Sequence, residues 1–395
     1  DSFEAVCSNK NYELGKVQRS QIDKLYGKQL QLSASQIDRQ AECRLSYFLK
    51  YGLRAKERKE ATVDPAEFGT YVHAVLEKTA RRVLELGGFP QVSLEQTLEI
   101  AEHYSEEYAA EHFSQLDSER LTYLFRRNGQ ELRFVVRELW EELQQSQFQP
   151  AGFEVNFGSA GGLPPIAVNG SAMNAILRGF VDRIDTWKQN GNDYYRVVDY
   201  KTGKKDFDYC DVFNGVGLQL LLYLFALQEC GAQVVGEKPI PAGVQYFPAR
   251  APFVTTDGRM TEEELEKQRV KDLKRKGLLL SDSEVLQAME PGENPKRLSY
   301  TVKKDGTIAG DLADREQLKM LKAYLRKILG KMVDDIASGN VDPNPYTRGS
   351  SHSACTFCPY GAVCHEAEVE GRRNYKTMTA QRFWDEIGKE MDSHG

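Results

Sequence analysis

The segment "VVDYKTG" sets Asp199 and Lys201 two residues apart. In a strand, residues i and i+2 project from one face, so an acid and an amine would stand side by side with Val197 and Tyr195. Seventeen residues before Asp199, "GFVDRID" carries Asp182. The turn signal "QNGND" lies between the two segments, and antiparallel pairing across it would bring Asp182 beside Asp199. Two carboxylates that close repel each other unless a cation sits between them. Oxygen ligands favour a hard divalent ion, Mg²⁺ or Mn²⁺. With Lys201 in reach of a metal-bound water or a phosphate oxygen, the constellation suits hydrolysis of a phosphodiester. The triplet alone is a weak signal. With 58 acidic and 52 basic residues among 395, about eight acid-x-base triplets arise by chance. Two companions strengthen it: His73 upstream in "FGTYVHAVLEK", and Gln219 with Tyr223, an i, i+4 pair on the helix after the hairpin. A lone histidine on an amphipathic helix is usually a surface or core residue, and a Gln and Tyr on a helix are usually structural.

A second concentration of chemistry is "SHSACTFCPYGAVCHEA", which packs Cys355, Cys358 and Cys364 into ten positions. Seven cysteines, odd in number and unevenly spread, suit a metal or cluster site in a reducing compartment better than a disulfide framework. Four thiolates can hold either a tetrahedral zinc or a four-iron cluster, and C-x2-C occurs in both. Cys7, Cys210 and Cys230 have no partners at ligand spacing and read as simple thiols. His352 and His365 flank the trio and could replace a ligand.

Elements must position these groups. An apolar content of 41% in 395 residues is enough to bury a real core in one large domain or two ordinary ones. No run of eighteen apolar residues and no signal-peptide pattern is present, so the expected location is cytoplasmic, with no membrane. The chain opens at Asp1 and reads as an excised piece of a longer protein. A net charge of −6 offers no general affinity for nucleic acid, so any such binding must rest on local patches.

Helices gather at the two ends and strands in the middle. "SASQIDRQAECRLSYFLKYGL" has Ser33 and Ser35 as candidate caps, with Cys43 inside the helix or at its bend. Asp64 and Pro65 open a helix with Phe68, Val72, Val75, Leu76 and Val83 on one stripe and His73 and Glu77 beside it. Residues 93 to 149 read as two or three charge-rich helices, an inserted lobe. After Pro150 come strands at "GFEVNFGS", "MNAILRGFVDRIDTWKQ" and "DYYRVVDYKTGKK", then a helix "VFNGVGLQLLLYLFALQEC" and a strand "AGVQYFPA". Helices resume at "TEEELEKQRVKDLKRKG" and "ADREQLKMLKAYLRKILGKMVDDIAS". Lys267, Arg269, Lys271, Lys274, Arg275 and Lys276, and separately Lys319, Lys322 and Arg326, could track a DNA backbone or be solvated helix faces.

The ordered set "GTYVH", "GFVDRID", "DYKTG" and "QLLLY" resembles the signature of RecB-type nucleases in the PD-(D/E)XK superfamily. The resemblance implies that His73, Asp182 and Asp199 are metal ligands together with the main-chain carbonyl of Tyr200. It makes Lys201 the catalytic lysine, with Gln219 and Tyr223 supporting it and contacting DNA. One branch, the nuclease domain ending the AddB-type chain of AddAB helicase-nucleases, has one cysteine before the core and three after it holding a [4Fe-4S] cluster. Here these would be Cys43 and Cys355, Cys358 and Cys364, the trio matching C-x2-C-x5-C. A zinc knuckle normally keeps its ligands in two close pairs, whereas one remote ligand plus a trio suits a cluster tying distant segments together. "LYGKQLQLSASQID" and "PAGVQYFPAR" are similar to the same branch.

The resemblance covers residue 25 to the end. It implies an α/β fold, a restriction-endonuclease-like mixed sheet flanked by helices, spanning 31–366. Within that span lie cluster-binding ends at 31–60 and 351–366, a helical insertion at 90–150 and a catalytic core at 151–250. Residues 1–30 would be an extension and 367–395 a helical tail. The implied activity is Mg²⁺-dependent cleavage of single-stranded DNA, as an exonuclease module working with an AddA-type helicase/nuclease partner in double-strand-break repair. No G-x-x-x-x-G-K-[ST] loop is present, so no ATPase is expected in this chain. The rivals are a stand-alone RecB-like nuclease of the CRISPR-adaptation type, usually about half this length, and a non-catalytic DNA-binding module with a structural metal site.

Overall fold

A computed structural model of the chain describes residues 16–56, 65–113, 119–159, 161–252, 260–349, 352–364 and 371–392. Cys7, Asp64 and His365 lie outside them. The hairpin forms as its sequence requires: Asn190 (φ 51°) and Gly191 (φ 73°) both take left-handed backbone, the conformation of a two-residue type I′ turn. Strands β1 (Gln149–Phe157), β2 (Gly179–Gln189) and β3 (Asn192–Lys201) form an antiparallel meander. A helical crossover leads to β4 (Pro239–Pro248), parallel to β3. Then β5 (Lys276–Leu280) runs antiparallel to β4, and the short β6 (Leu312–Ala313) parallel to β5. The six strands lie side by side in chain order, a mixed sheet in an α/β fold.

Helices cover both faces. Helix α1 (Ala34–Glu42) starts at a capping box made by Ser33 and Gln36. Ser35 is not the cap; its hydroxyl meets that of Ser33. On one side of the sheet, α2 (Pro65–Glu85), α3 (Leu94–Phe113) and α4 (Glu119–Gln145) form a helical lobe. The stripe Val72, Val75, Leu76 and Val83 is buried there against Val135, Leu139, Phe153, Val198 and Phe247. On the other side, α5 (Gln219–Cys230) buries Leu220 through Leu227. Beside it, α6 (Arg315–Ala337) is capped by Asp314 and packs against α7 (Ala380–Asp392).

Two expected elements are broken, each for a backbone reason. "VFNGVGLQLLLYLFALQEC" is not one helix, because Gly215 (φ 86°) and Gly217 (φ 71°) turn the chain between Tyr209–Phe213 and α5. "MNAILRGFVDRIDTWKQ" is not one strand. Its first part, Asn174–Leu177, pairs with Gln29–Leu32 and Ile166–Asn169 in a separate three-stranded sheet. The Arg178 N–H goes to the Leu32 carbonyl, and β2 starts afresh at Gly179.

The helical lobe is bolted to the sheet by charge as well as apolar contact. Glu142 of α4 reaches Arg183 (2.8 Å), Arg196 (2.9 Å) and Arg275 (2.8 Å), and Asp185 pairs with Arg183 and Arg196 at 2.8 Å. All five are buried. Arg275 therefore does not track DNA: it is locked in this network and stacks over Phe247. Burial alone would raise the pKa of Glu142, but Arg275, Arg196 and Arg183 outweigh it and hold the carboxyl well below the usual range. Removing one partner of a buried ionic cluster leaves the others uncompensated, at a cost of about 3–5 kcal/mol. Glu142→Ala is expected to lose about that much in urea unfolding at pH 7. Because the folded pKa is depressed, the deficit is full above the ordinary Glu value of 4.5 and shrinks as pH falls below it.

Candidate active site

The register of β2 and β3 assembles the site. Arg183 pairs with Val198, and one step further outward Asp182 stands level with Asp199. At that step a side chain replaces the ladder: the Tyr200 N–H donates to Asp182 Oδ2 at 2.9 Å. His73 of α2 leans over from the lobe side. Its Nδ1 is 3.4 Å from Asp182 Oδ2 and its Nε2 2.9 Å from the Tyr200 carbonyl oxygen. Three of the four expected metal ligands thus touch. The fourth, Asp199, is held on the other flank, with Oδ2 2.5 Å from Lys201 Nζ and Oδ1 3.5 Å from Gln219 Nε2.

Tyr223, one helical turn beyond Gln219, stacks on Phe157 and is 3% exposed. Its hydroxyl lies against the head of β2, beside Gly179. A Cβ at Gly179 would run into the Tyr223 hydroxyl, so glycine is required at the head of this strand.

One residue went unread in the sequence. Glu154 lies on β1 level with Asp182, between the paired positions Phe153↔Arg183 and Val155↔Val181. Ligand atoms of His73, Glu154 and Asp182 all lie within 4.8 Å of one another. Its φ of 46° is strained for a residue with a side chain, and such strain gathers at functional sites. The available signal was an acid interrupting "GFEVNF", which gains meaning only once β1 is known to lie beside β2.

Electrostatics mark the same spot. Burial, then the charge of Asp199, push Asp182 up to about 7, against the opposing pull of His73. Burial and Glu77 raise Glu154. His73, Glu154 and Asp182 bring three ligand atoms together that could hold a divalent cation, with Asp199 on the neighbouring strand. By contrast, several basic residues that could track DNA or be solvated helix faces are answered locally. Lys267 pairs with Glu263, Lys319 with Glu316, and Lys322 and Arg326 with Glu229.

At the other end, α1 stops where Cys43 takes extended backbone (φ −166°, ψ 124°), the bend expected there. Cys43, Cys355, Cys358 and Cys364 line one cavity with Leu45, Pro343, Pro345 and Tyr360. The chain ends also meet directly, through Arg44 N–H to Asn344 (2.8 Å) and the Tyr360 hydroxyl to the Ala55 carbonyl (3.0 Å). A tetrahedral zinc with Zn–S bonds of about 2.3 Å needs sulfurs about 3.8 Å apart. Among the described residues the His73 group is the only set of three ligand atoms within 4.8 Å of one another. Cys210 is buried, and Cys230 half-buried.

The acid pair gives a pH-dependent test. A folded pKa near 7, against an ordinary 3.8, means that ionising Asp182 costs stability as pH rises through that interval. In metal-free buffer Asp182→Asn is therefore expected to melt above the wild type, by more at pH 8 than at pH 5. Adding Mg²⁺ at pH 8 is expected to raise the wild-type Tm and leave that of the variant unchanged.

Comparison with known proteins agrees with this geometry. Residues 31–365 match the PD-(D/E)XK nuclease superfamily. The B subunit of an ATP-dependent helicase/deoxyribonuclease from Acetivibrio thermocellus is 36% identical over 392 residues, covering 95% of this chain and 34% of that protein. Proteins of the same description from Thermoanaerobacter sp. (strain X514; 31% identical, 100% of this chain, 35% of that protein) and Clostridium novyi (strain NT; 34%, 95% and 34%) are also similar. The chain spans about a third of the length of these curated relatives. No helix among the described residues is long and apolar enough to cross a membrane. By the match over most of its length, and with the D-x-K triplet set beside a second carboxylate and a histidine, this chain belongs to the PD-(D/E)XK nuclease superfamily.

Proposed function

We propose that the chain is a Mg²⁺-dependent deoxyribonuclease acting as an exonuclease on single-stranded DNA, the nuclease module of an AddAB-type helicase-nuclease that processes double-strand breaks. The observation that carries this reading is the cleft in which His73, Glu154, Asp182 and Asp199 converge with Lys201 at its rim. A divalent ion held by these side chains and the Tyr200 carbonyl would polarise the phosphoryl group and acidify a water. Lys201, a third exposed, presents its ammonium to the charge that develops on the phosphoryl oxygens. Gln219 and Lys201 hold Asp199 from two sides, and Tyr223 fixes the strand that carries Asp182. The names of the relatives support a DNA substrate and an AddA-type helicase/nuclease chain as partner.

The four cysteines are read as ligands of a [4Fe-4S] cluster that clasps the two ends of the domain. Their shared cavity supports a common ligand, one remote cysteine plus a trio suits a cluster better than zinc, and the cluster is given no part in the hydrolysis.

Asp199→Ala and Lys201→Ala are each expected to lower Mg²⁺-dependent cleavage of a single-stranded oligonucleotide by at least roughly 10³-fold, with an unchanged circular dichroism spectrum; undiminished cutting would refute the assignment. Cys358→Ser is expected to lose iron and acid-labile sulfide and to melt well below the wild type. A colourless wild type holding one zinc would overturn the cluster.

A further inference from the structure

We propose that Phe180 is the base-stacking platform of the cleavage site, the residue that selects an unpaired nucleotide next to the scissile phosphate. This rests on the nuclease reading above and adds to it a source of single-strand preference.

Phe180 is 52% exposed, a large apolar ring in water two residues from Asp182. It stands two residues before Asp182 on the same continuous strand. Positions two apart share a face, about 6.6–6.8 Å from each other along the strand. Val181 between them is buried, as alternation requires. On the neighbouring strand Lys201 follows Asp199 by two residues, at the end of β3. A phosphate drawn to the acid–lysine cleft would therefore place an adjoining base within reach of the ring.

The platform is also rigid. Phe180 pairs with Asn156 across the β1–β2 ladder. Its ring stacks on no other aromatic among the described residues, whereas the neighbouring Tyr223 and Phe157 rings stack on each other and leave it free. A base inside a duplex has both faces covered by its neighbours, whereas an unpaired base can offer one to a protein ring. Such stacking is sequence-tolerant, because every base has a π-face.

The test uses the purified chain with Mg²⁺ and a single-stranded oligonucleotide. Stacking at about 1–3 kcal/mol per base corresponds to roughly a 5- to 150-fold effect. Phe180→Ala is expected to raise KM by a factor in that range and to change kcat by less. Phe180→Leu, which keeps apolar bulk without a π-face, is expected to behave like the alanine variant, and Phe180→Trp to restore the wild-type KM. A wholly abasic strand is expected to raise the KM of the wild type and leave that of Phe180→Ala unmoved. Equal KM values for wild type and Phe180→Ala, or equal sensitivity of both to base removal, would overturn the platform. Loss of the Mg²⁺-induced Tm rise in Phe180→Ala would also overturn it, by showing that the residue acts through the carboxylates. A wild type inert in Mg²⁺ would instead overturn the nuclease reading itself.

Discussion

Two carboxylates are forced level with each other on neighbouring strands, and much of the domain answers the repulsion that results. The hairpin turn leaves no choice of register: once Asn190 and Gly191 close it, Asp182 must meet Asp199. Three compensations surround the pair. Lys201 approaches Asp199, the Tyr200 N–H and His73 approach Asp182, and burial raises the proton affinity of Asp182 itself. What remains uncompensated is a demand for positive charge in the cleft, and a third acid, Glu154, deepens it.

Holding like charges together needs a stiff support, and the reverse face of the same strands supplies one. Side chains alternate along β2 and β3, so Arg183 and Arg196 point away from the cleft into the buried network with Glu142 and Asp185. The Tyr200 ring joins this side through its hydroxyl and Arg183, while its carbonyl belongs to the cleft. A single residue thus spans the reactive face and the ionic anchor, and α4 reaches the chemistry through the sheet. The lobe read as an insertion is part of the support of the site.

Legibility followed the range of the interactions. The hairpin, the D-x-K triplet and the apolar stripe of α2 rest on neighbours two to four residues apart or on a two-residue turn, and all could be read directly. The bend at Cys43 was visible because the apolar period falters there. Glu154 was not, because its meaning depends on which strand lies beside β2. Arg275 was misread because sequence cannot distinguish a basic residue in solvent from one sealed among acids 133 positions away. The breaks at Gly215 and at Arg178 came from backbone conformations that override local apolar patterning.

The meeting of the two chain ends bears on how the domain comes into being. Ser46 and Cys358 lie 312 positions apart and share one cavity wall. At about 5–20 residues per second, a ribosome needs on the order of 15 to 60 seconds to traverse that interval. Over that time α1 is made but lacks the segment that covers it. The central hairpin emerges midway and can pair at once, so synthesis delivers the reactive core before its seam is closed. Arrival of the cysteine trio then completes the wall of that cavity.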